Sequence, residues 1–206
     1  MDSVQTVSTF VYTHKPAMRR LRRVVDTVLA TALLVVTSPL LVAAIVAILL
    51  EDGRPVFFHQ RRVGRFERLF TIHKLRTLRT EQCIDRPTPT NSRDPRITSV
   101  GRILRKTSID ELPQLVNVIR GEMSIVGPRP DMPVMMDRYA KWQRMRHLVS
   151  PGITCIWQTT HRSDVALQRP EASALDLDYI NRASPVLDTV LLARTVVAVV
   201  SSKGAY

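Results

Sequence analysis

Aromatic residues are scarce: Phe, Trp and Tyr make up 5 % of the 206 residues. A chain so poor in rings is badly equipped to stack successive bases, which argues against a single-stranded nucleic-acid partner. Cysteine is scarcer. Cys83 and Cys155 form no metal-ligand spacing and no disulfide framework, and read as two free thiols in a reducing compartment. Also missing are a Gly-rich phosphate loop of the Walker or dinucleotide type, an H-E-x-x-H pair and a nucleophile elbow. P-loop and Rossmann enzymes, zinc proteases and serine esterases are therefore unsupported. Acidic residues are in deficit, 18 Asp and Glu against 30 Lys and Arg, for a formal net charge of +12. That balance suits an anionic partner: nucleic acid, an acidic membrane surface or a phosphorylated substrate.

What is present begins with a long apolar run. Thr27 to Leu50 carries no charge, and these 24 residues as a helix span roughly 36 Å, enough for a hydrocarbon core of about 30 Å. The run divides the chain into a flexible N-terminal tail (1–18), a membrane anchor (19–50) and a domain of one core's size (51–206). Ser38-Pro39 lies in the middle of the anchor. Pro39 has no amide hydrogen and crowds the carbonyl of Val35, and the Ser38 hydroxyl is positioned to satisfy the carbonyl of Leu34. Arginines flank both ends: Arg19, Arg20, Arg22 and Arg23 before it; Arg54, Arg61, Arg62, Arg65 and Arg68 after it. Basic flanks favour the cytoplasmic side. A hairpin that turns at Ser38-Pro39 and leaves by its own leaflet satisfies both flanks; a kinked single span violates one.

Beyond Leu50 the spacing predicts two short strands, Pro55–Gln60 and Leu69–Leu75, with Gly64 in the connection. Residues 81–96 read as a loop. Helices are expected over Ile97–Arg105 and Asp110–Arg120, the second stopped by Gly121. Met135, Tyr139, Trp142, Met145 and Val149 recur at helical spacing among basic residues. They predict an amphipathic helix over 133–149 that lies at the membrane interface or packs on the core. Ser184-Pro185 opens a last helix. The expected fold is α+β, mainly helical: a re-entrant membrane hairpin broken at Ser-Pro, a small β-hairpin, and interfacial helices around a compact domain.

The densest chemistry is "GRILRKTSIDELPQLVNVIRGEMSIVGPRP", Gly101–Pro130. Asp110 and Glu111 are adjacent acids preceded by Arg102, Arg105 and Lys106. Pro113 belongs in the first turn of a helix, so Asp110 is its N-cap or a first-turn residue; alternatively Ser108 and Glu111 form a capping box. Either way both acids lie at the positive end of the helix dipole, among cations that suit phosphate. A carboxylate there can attack phosphorus, with Mg²⁺ offsetting the repulsion between anions. Arg129, between Pro128 and Pro130, presents a fixed fork for phosphate.

"PVFFHQRRVGR", "FTIHKLRTLR", "DPRITSVGRILRKTSIDELPQLVNVIRGEMSIVGPRP", "SPGITCIWQ" and the terminal "KGAY" resemble the bacterial sugar transferase family, the monotopic phosphoglycosyl transferases. The resemblance runs from about Arg19 to Tyr206. It implies transfer of a sugar-1-phosphate from a UDP-sugar to undecaprenyl phosphate, with release of UMP, through a phosphosugar-aspartyl enzyme at the start of surface-glycan assembly. It implies Asp110 as nucleophile and metal contact, Glu111 as its partner acid, Mg²⁺ as cofactor, and Lys74, Arg76, Arg105 and Arg129 as phosphate-binding residues. It maps a Ser-Pro turn onto Ser38 and Pro39. It implies a monotopic protein of the bacterial inner membrane with its catalytic domain on the cytoplasmic face and no nucleic-acid partner; an exposed helix face leaves room for a homo-oligomer. His73, Leu75, Cys155 and "QTTHR" depart from the family's usual pattern and leave the donor sugar open. A membrane-tethered basic binder would explain the charge and the anchor, but not two acids among the bases. An inactive scaffold is disfavoured by the intact dyad.

Overall fold

The computed structural model describes residues 16–80, 89, 91, 93–156 and 170–201. The expected tail up to residue 15, Cys83, "QTTHR" and the terminal "KGAY" lie outside them. Among the described residues one helix is long and apolar enough to cross a membrane. This is α1, Pro16–Asp52.

Helix α1 runs without interruption through Ser38-Pro39, where the sequence led to an expected break. The local hydrogen bonding explains the continuity. Ser38 Oγ donates to the carbonyl of Val35 at 2.7 Å, the group that Pro39 cannot serve, instead of the expected carbonyl of Leu34. Thr37 Oγ1 adds a bond to Leu33 O at 2.7 Å. One face of α1 meets the rest of the chain along its whole length. Ala30 and Leu34 join a cluster with Ile72, Val118 and Ile125; Leu41, Ala44, Ile45 and Ile48 join another with Leu75 and Leu104. The opposite face is open, with Val36 76 % and Leu50 83 % exposed.

Both ends of α1 are tied down. Near the start, Arg22 donates to Val126 O and to the Tyr179 hydroxyl, each at 2.7 Å, and Asp26 accepts from Ser124 Oγ at 2.6 Å. At the far end, the Glu51 carboxylate accepts from the amides of Ser99 and Val100 at 2.6 and 2.8 Å. It thereby satisfies free donors in the first turn of α2, Ser99–Thr107. Thr98 caps the same helix by accepting from Gly101 N at 2.8 Å.

Strands β1 (Phe57–Val63) and β2 (Leu69–Leu75) form an antiparallel hairpin with Phe58 opposite Lys74 and Arg62 opposite Phe70. β2 lies where expected. β1 begins and ends later than expected, because pairing with β2 carries the basic run His59–Arg62 into the ladder. The expected helix from Asp110 resolves into a 3-10 turn, Ile109–Gln114, followed by α3, Leu115–Arg120, and Gly121 ends it at φ +86°. β3 (Ser124–Val126) and β4 (Gly152–Thr154) pair in parallel.

The expected amphipathic helix over 133–149 is not one helix. It is a 3-10 turn (Pro133–Arg138), a single α-turn, α4 (Lys141–Arg144), and a second 3-10 turn (Met145–Leu148). The chain is extended at Tyr139 and Ala140. This lets the Tyr139 hydroxyl reach Asp131 at 3.0 Å while Arg146 reaches the same carboxylate from the following turns. Met135, Tyr139 and Val149 pack inward, and Trp142 remains exposed. Helices α5 (Pro170–Arg182) and α6 (Pro185–Ser201) complete the structure; Ser184 Oγ accepts from Leu187 N at 3.2 Å and caps α6 as expected.

Candidate active site

Helix α2 ends on Ser108 in the left-handed conformation, φ +58°. For a residue with a Cβ this costs on the order of 1 kcal/mol or more. The strained residue turns the chain at once into the 3-10 turn that carries Asp110 and Glu111. The turn packs on β2, and Lys74 of β2 meets it there. Lys74 Nζ lies 2.6 Å from Glu111 Oε1, and Arg129 Nη2 lies 3.2 Å from the same oxygen. The capping box is not formed: Ser108 makes no side-chain cap bond, and the Glu111 carboxylate is engaged by the two cations.

The two acids differ sharply. Asp110 is buried and has no ion pair within 4.0 Å among the described residues. Burial pushes its carboxyl up to about 6; Lys74 opposes that rise, Glu111 adds to it, and Arg105 and Arg129 oppose it. Burial acts on Glu111 in the same sense, but Lys74 and Arg129, by charge and hydrogen bond, hold it well below the ordinary carboxylate range. One acid is therefore a locked anion, the other a desolvated carboxylate with its oxygens unclaimed by cations.

Three of the four expected phosphate-binding residues surround the dyad. Lys74 and Arg129 do so by direct contact. Arg105 donates from Nε to Thr77 Oγ1 at 2.9 Å and stands within electrostatic range of Asp110 and Glu111; burial lowers its pKa. Arg76 does not join them. It is buried at the end of α1, donating to the carbonyls of Asp52 and Gly53 at 3.0 and 2.8 Å and pairing with the Asp52 carboxylate at 3.1 Å. It closes the C-terminus of that helix.

Sequence reasoning missed Arg62. It donates to Pro130 O at 3.2 Å and to Gln60 Oε1 at 2.6 Å. Burial and the like charge of Arg129 lower its pKa to about 10, and Glu111 and Asp131 act in the opposite sense. The signal was available: in an antiparallel pair opposite residues share a face, so Arg62 lies on the face that carries Lys74. Also missed was the buried support beneath Arg129. Arg146, which is 1 % exposed, donates to Arg129 O at 3.2 Å, pairs with Asp131 at 3.2 Å and with Asp176. His147 Nε2 lies 3.1 Å from Asp131. These contacts fix the backbone of the Pro128-Arg129-Pro130 segment.

No group of three or more His, Cys, Asp or Glu able to hold a metal occurs among the described residues. The donor set does fit a magnesium ion of the kind completed by substrate phosphates, which takes one or two carboxylates from the protein. Asp110 is the available carboxylate.

Residues 17–202 match the family described as Bacterial sugar transferase, and the chain belongs to that family. It is 39 % identical over 184 residues to the uncharacterized sugar transferase EpsL of Bacillus subtilis (strain 168), covering 89 % of each chain. It is 34 % identical over 200 residues to the exopolysaccharide production protein ExoY of Rhizobium meliloti (strain 1021), covering 90 % of this chain and 88 % of that one. A longer relative is the UDP-glucose:undecaprenyl-phosphate glucose-1-phosphate transferase of Escherichia coli (strain K12). There the identity is 36 % over 194 residues, 91 % of this chain and 42 % of that protein.

Proposed function

We propose that this protein transfers a sugar-1-phosphate from a UDP-sugar to undecaprenyl phosphate and releases UMP. The observation that carries the reading is the division of labour in the dyad: a buried Asp110 with no ion pair among the described residues, beside a Glu111 held ionised by Lys74 and Arg129. The names of relatives that use UDP-glucose and undecaprenyl phosphate support the substrate classes.

In the first step a carboxylate oxygen of Asp110 attacks the sugar-bearing phosphorus. The bond to the bridging oxygen breaks, and UMP leaves with the electron pair. In the second step an oxygen of undecaprenyl phosphate attacks the same phosphorus. The acyl phosphate bond breaks, Asp110 regains its carboxylate, and the product is a lipid diphosphate sugar. Four cations, Lys74, Arg62, Arg105 and Arg129, surround two carboxylates. The excess positive charge suits a diphosphate and the charge that develops on the leaving phosphate. Glu111 keeps Lys74 and Arg129 oriented. Magnesium, held by Asp110 and substrate phosphates, would supply further charge neutralisation.

The reading extends to placement. A single-pass span carries its ends to opposite faces of the bilayer, some 30 Å apart. Here Arg22 and Asp26 at one end of α1, and Glu51 and Asp52 at the other, bind the same folded chain. This supports a monotopic protein with both ends of α1 at one leaflet and the dyad on the cytoplasmic face where nucleotide sugars are found; α1 runs through Ser38-Pro39 as one helix, so no break there is invoked. Single cysteines at Arg20→Cys and Arg54→Cys, in a chain with Cys83 and Cys155 replaced by Ala, test the topology. Both react with a membrane-impermeant thiol reagent from the cytoplasmic side only; labelling from opposite sides contradicts the placement. The reaction itself is tested by UMP release across a panel of UDP-sugars with undecaprenyl phosphate and Mg²⁺. Release with at least one donor is expected, and none with any donor would overturn it.

A further inference from the structure

Two adjacent phenylalanines open β1, and the pleat sends them to opposite faces of the hairpin. Phe57 is 41 % exposed and stacks beside His59, with ring centroids 6.3 Å apart. Phe58 is 39 % exposed and has no ring partner among the described residues. The ladder fixes where it stands. Arg76 N donates to Val56 O, and Gly64 N to Arg68 O, each at 2.8 Å. Between them hydrogen-bonded pairs recur at every second residue, so Phe58 and Lys74 form one. Their Cα atoms lie about 5.5 Å apart and their side chains share a face. Lys74 reaches Glu111 from that face. An open phenyl ring therefore stands beside a cation that touches the dyad.

The polar neighbour of Phe58 along β1 on this face is Gln60. Its amide is committed at both ends, accepting from Arg62 at 2.6 Å and donating to Met132 Sδ at 3.6 Å. It is not left to read the edge of a base or the hydroxyls of a sugar. The ring itself offers apolar contact alone. On the other side, Val56 packs on the cluster that holds Ala44 and Ile48 of α1, together with Leu41 and Ile45 of that helix. Ile109, the neighbour of Asp110, packs on the same cluster. Apolar side chains thus run from the second half of α1 to the start of β1, two residues short of Phe58. At Phe58 they give way to Lys74 and the acids. An amphiphile whose anionic head passes directly into a hydrocarbon chain matches that change, with its head on the cations and its chain on the ring. A nucleotide sugar has no such chain.

We propose that Phe58 binds the first isoprene units of the polyprenyl phosphate acceptor while the acceptor's phosphate lies at Lys74. The ring is then an acceptor-side contact and takes no part in holding the nucleotide sugar. The assignment rests on the reaction proposed above and adds the side from which its lipid substrate arrives.

The test joins a binding readout to a kinetic one, both on the full chain in nanodiscs. Phe58 replaced by p-benzoylphenylalanine should cross-link on irradiation to undecaprenyl phosphate in preference to the bulk phospholipid. The same replacement of Phe57, on the other face of the strand, should not. In steady-state UMP release F58A should raise KM for undecaprenyl phosphate about tenfold and leave KM for the UDP-sugar unchanged. F58L, which keeps an apolar side chain, should recover most of that loss, and F57A should keep both constants. Equal cross-linking from the two positions means general contact with the bilayer and overturns the proposal. So does a wild-type acceptor KM in F58A, or a rise in donor KM alone, which would give the ring to the base or the sugar. Selective cross-linking from position 58 in a chain that releases no UMP supports the subsite and counts against the reaction alone. UMP release without that cross-link counts against the subsite alone.

Discussion

At the residue scale, two adjacent carboxylates behave differently because of their neighbours. Asp110 binds its proton more tightly in the folded chain than in the unfolded one. Folding stability attributable to it therefore falls as pH rises from about 4 to about 6, and the charged form is destabilising at neutral pH. D110N removes that charge. It should melt no lower than the wild type at pH 7.5 while losing turnover, a combination measurable by thermal melting and UMP release on one preparation. The same protonation should place an acid limb near pH 6 on kcat/KM, because the neutral acid cannot attack phosphorus. A limb near pH 4 would mean that Asp110 is not the titrating nucleophile.

At the element scale, α2 lies so close to the backbone at Thr77, just beyond β2, that Gly101 is required. A Cβ there would stand 2.2 Å from the carbonyl oxygen of Thr77. G101A should cost about 2 kcal/mol, and should weaken activity by moving Arg105 one turn on; unchanged stability by denaturant titration would contradict this packing. Elements with local chemical signals were legible in the sequence. Gly121, Ser184 and Pro185 marked helix ends, β2 stood out as a strand, and the acids fell in a first turn beside Pro113. Elements shaped by distant partners were not legible. The helical spacing of Met135, Tyr139 and Trp142 is real, but buried pairing of Arg146 with Asp131 and Asp176 divides the segment. The three-residue strands β3 and β4 carry no periodic signal of their own. Arg76 looked like a phosphate ligand from its place two residues after Lys74; β2 ends at Leu75, and beyond it Arg76 bonds the carbonyls and carboxylate at the end of α1 instead.

At the scale of the whole molecule, a buried ionic cluster joins the Pro128-Arg129-Pro130 segment to α5. Arg146 is held between Asp131 and Asp176, and burial together with Asp131 keeps the Asp176 carboxyl up near 7 despite the arginine. Removing the cation alone leaves two buried acids facing each other. R146M should therefore cost about 3–5 kcal/mol, and adding D176N to it should restore part of the loss. A double variant less stable than R146M would show that the acids are not the source of the penalty. The same cluster holds the backbone of Arg129, so R146M should also lower kcat in whatever fraction folds. Helix α1, the Arg146 cluster and the dyad thus belong to one packed unit. α1 is its longest brace, and in the proposed placement its open face meets the lipid.

The central claim is that Asp110 carries the sugar-phosphate between donor and acceptor. It is tested most directly by incubating the protein with a UDP-sugar labelled in its sugar-bearing phosphate, with undecaprenyl phosphate withheld, and locating the label by peptide mass spectrometry. The account predicts UMP release in proportion to protein, a sugar-phosphate adduct on Asp110, and loss of that adduct when undecaprenyl phosphate is added. An adduct on Glu111, or UMP release only when acceptor is present with Asp110 unmodified throughout, would contradict it.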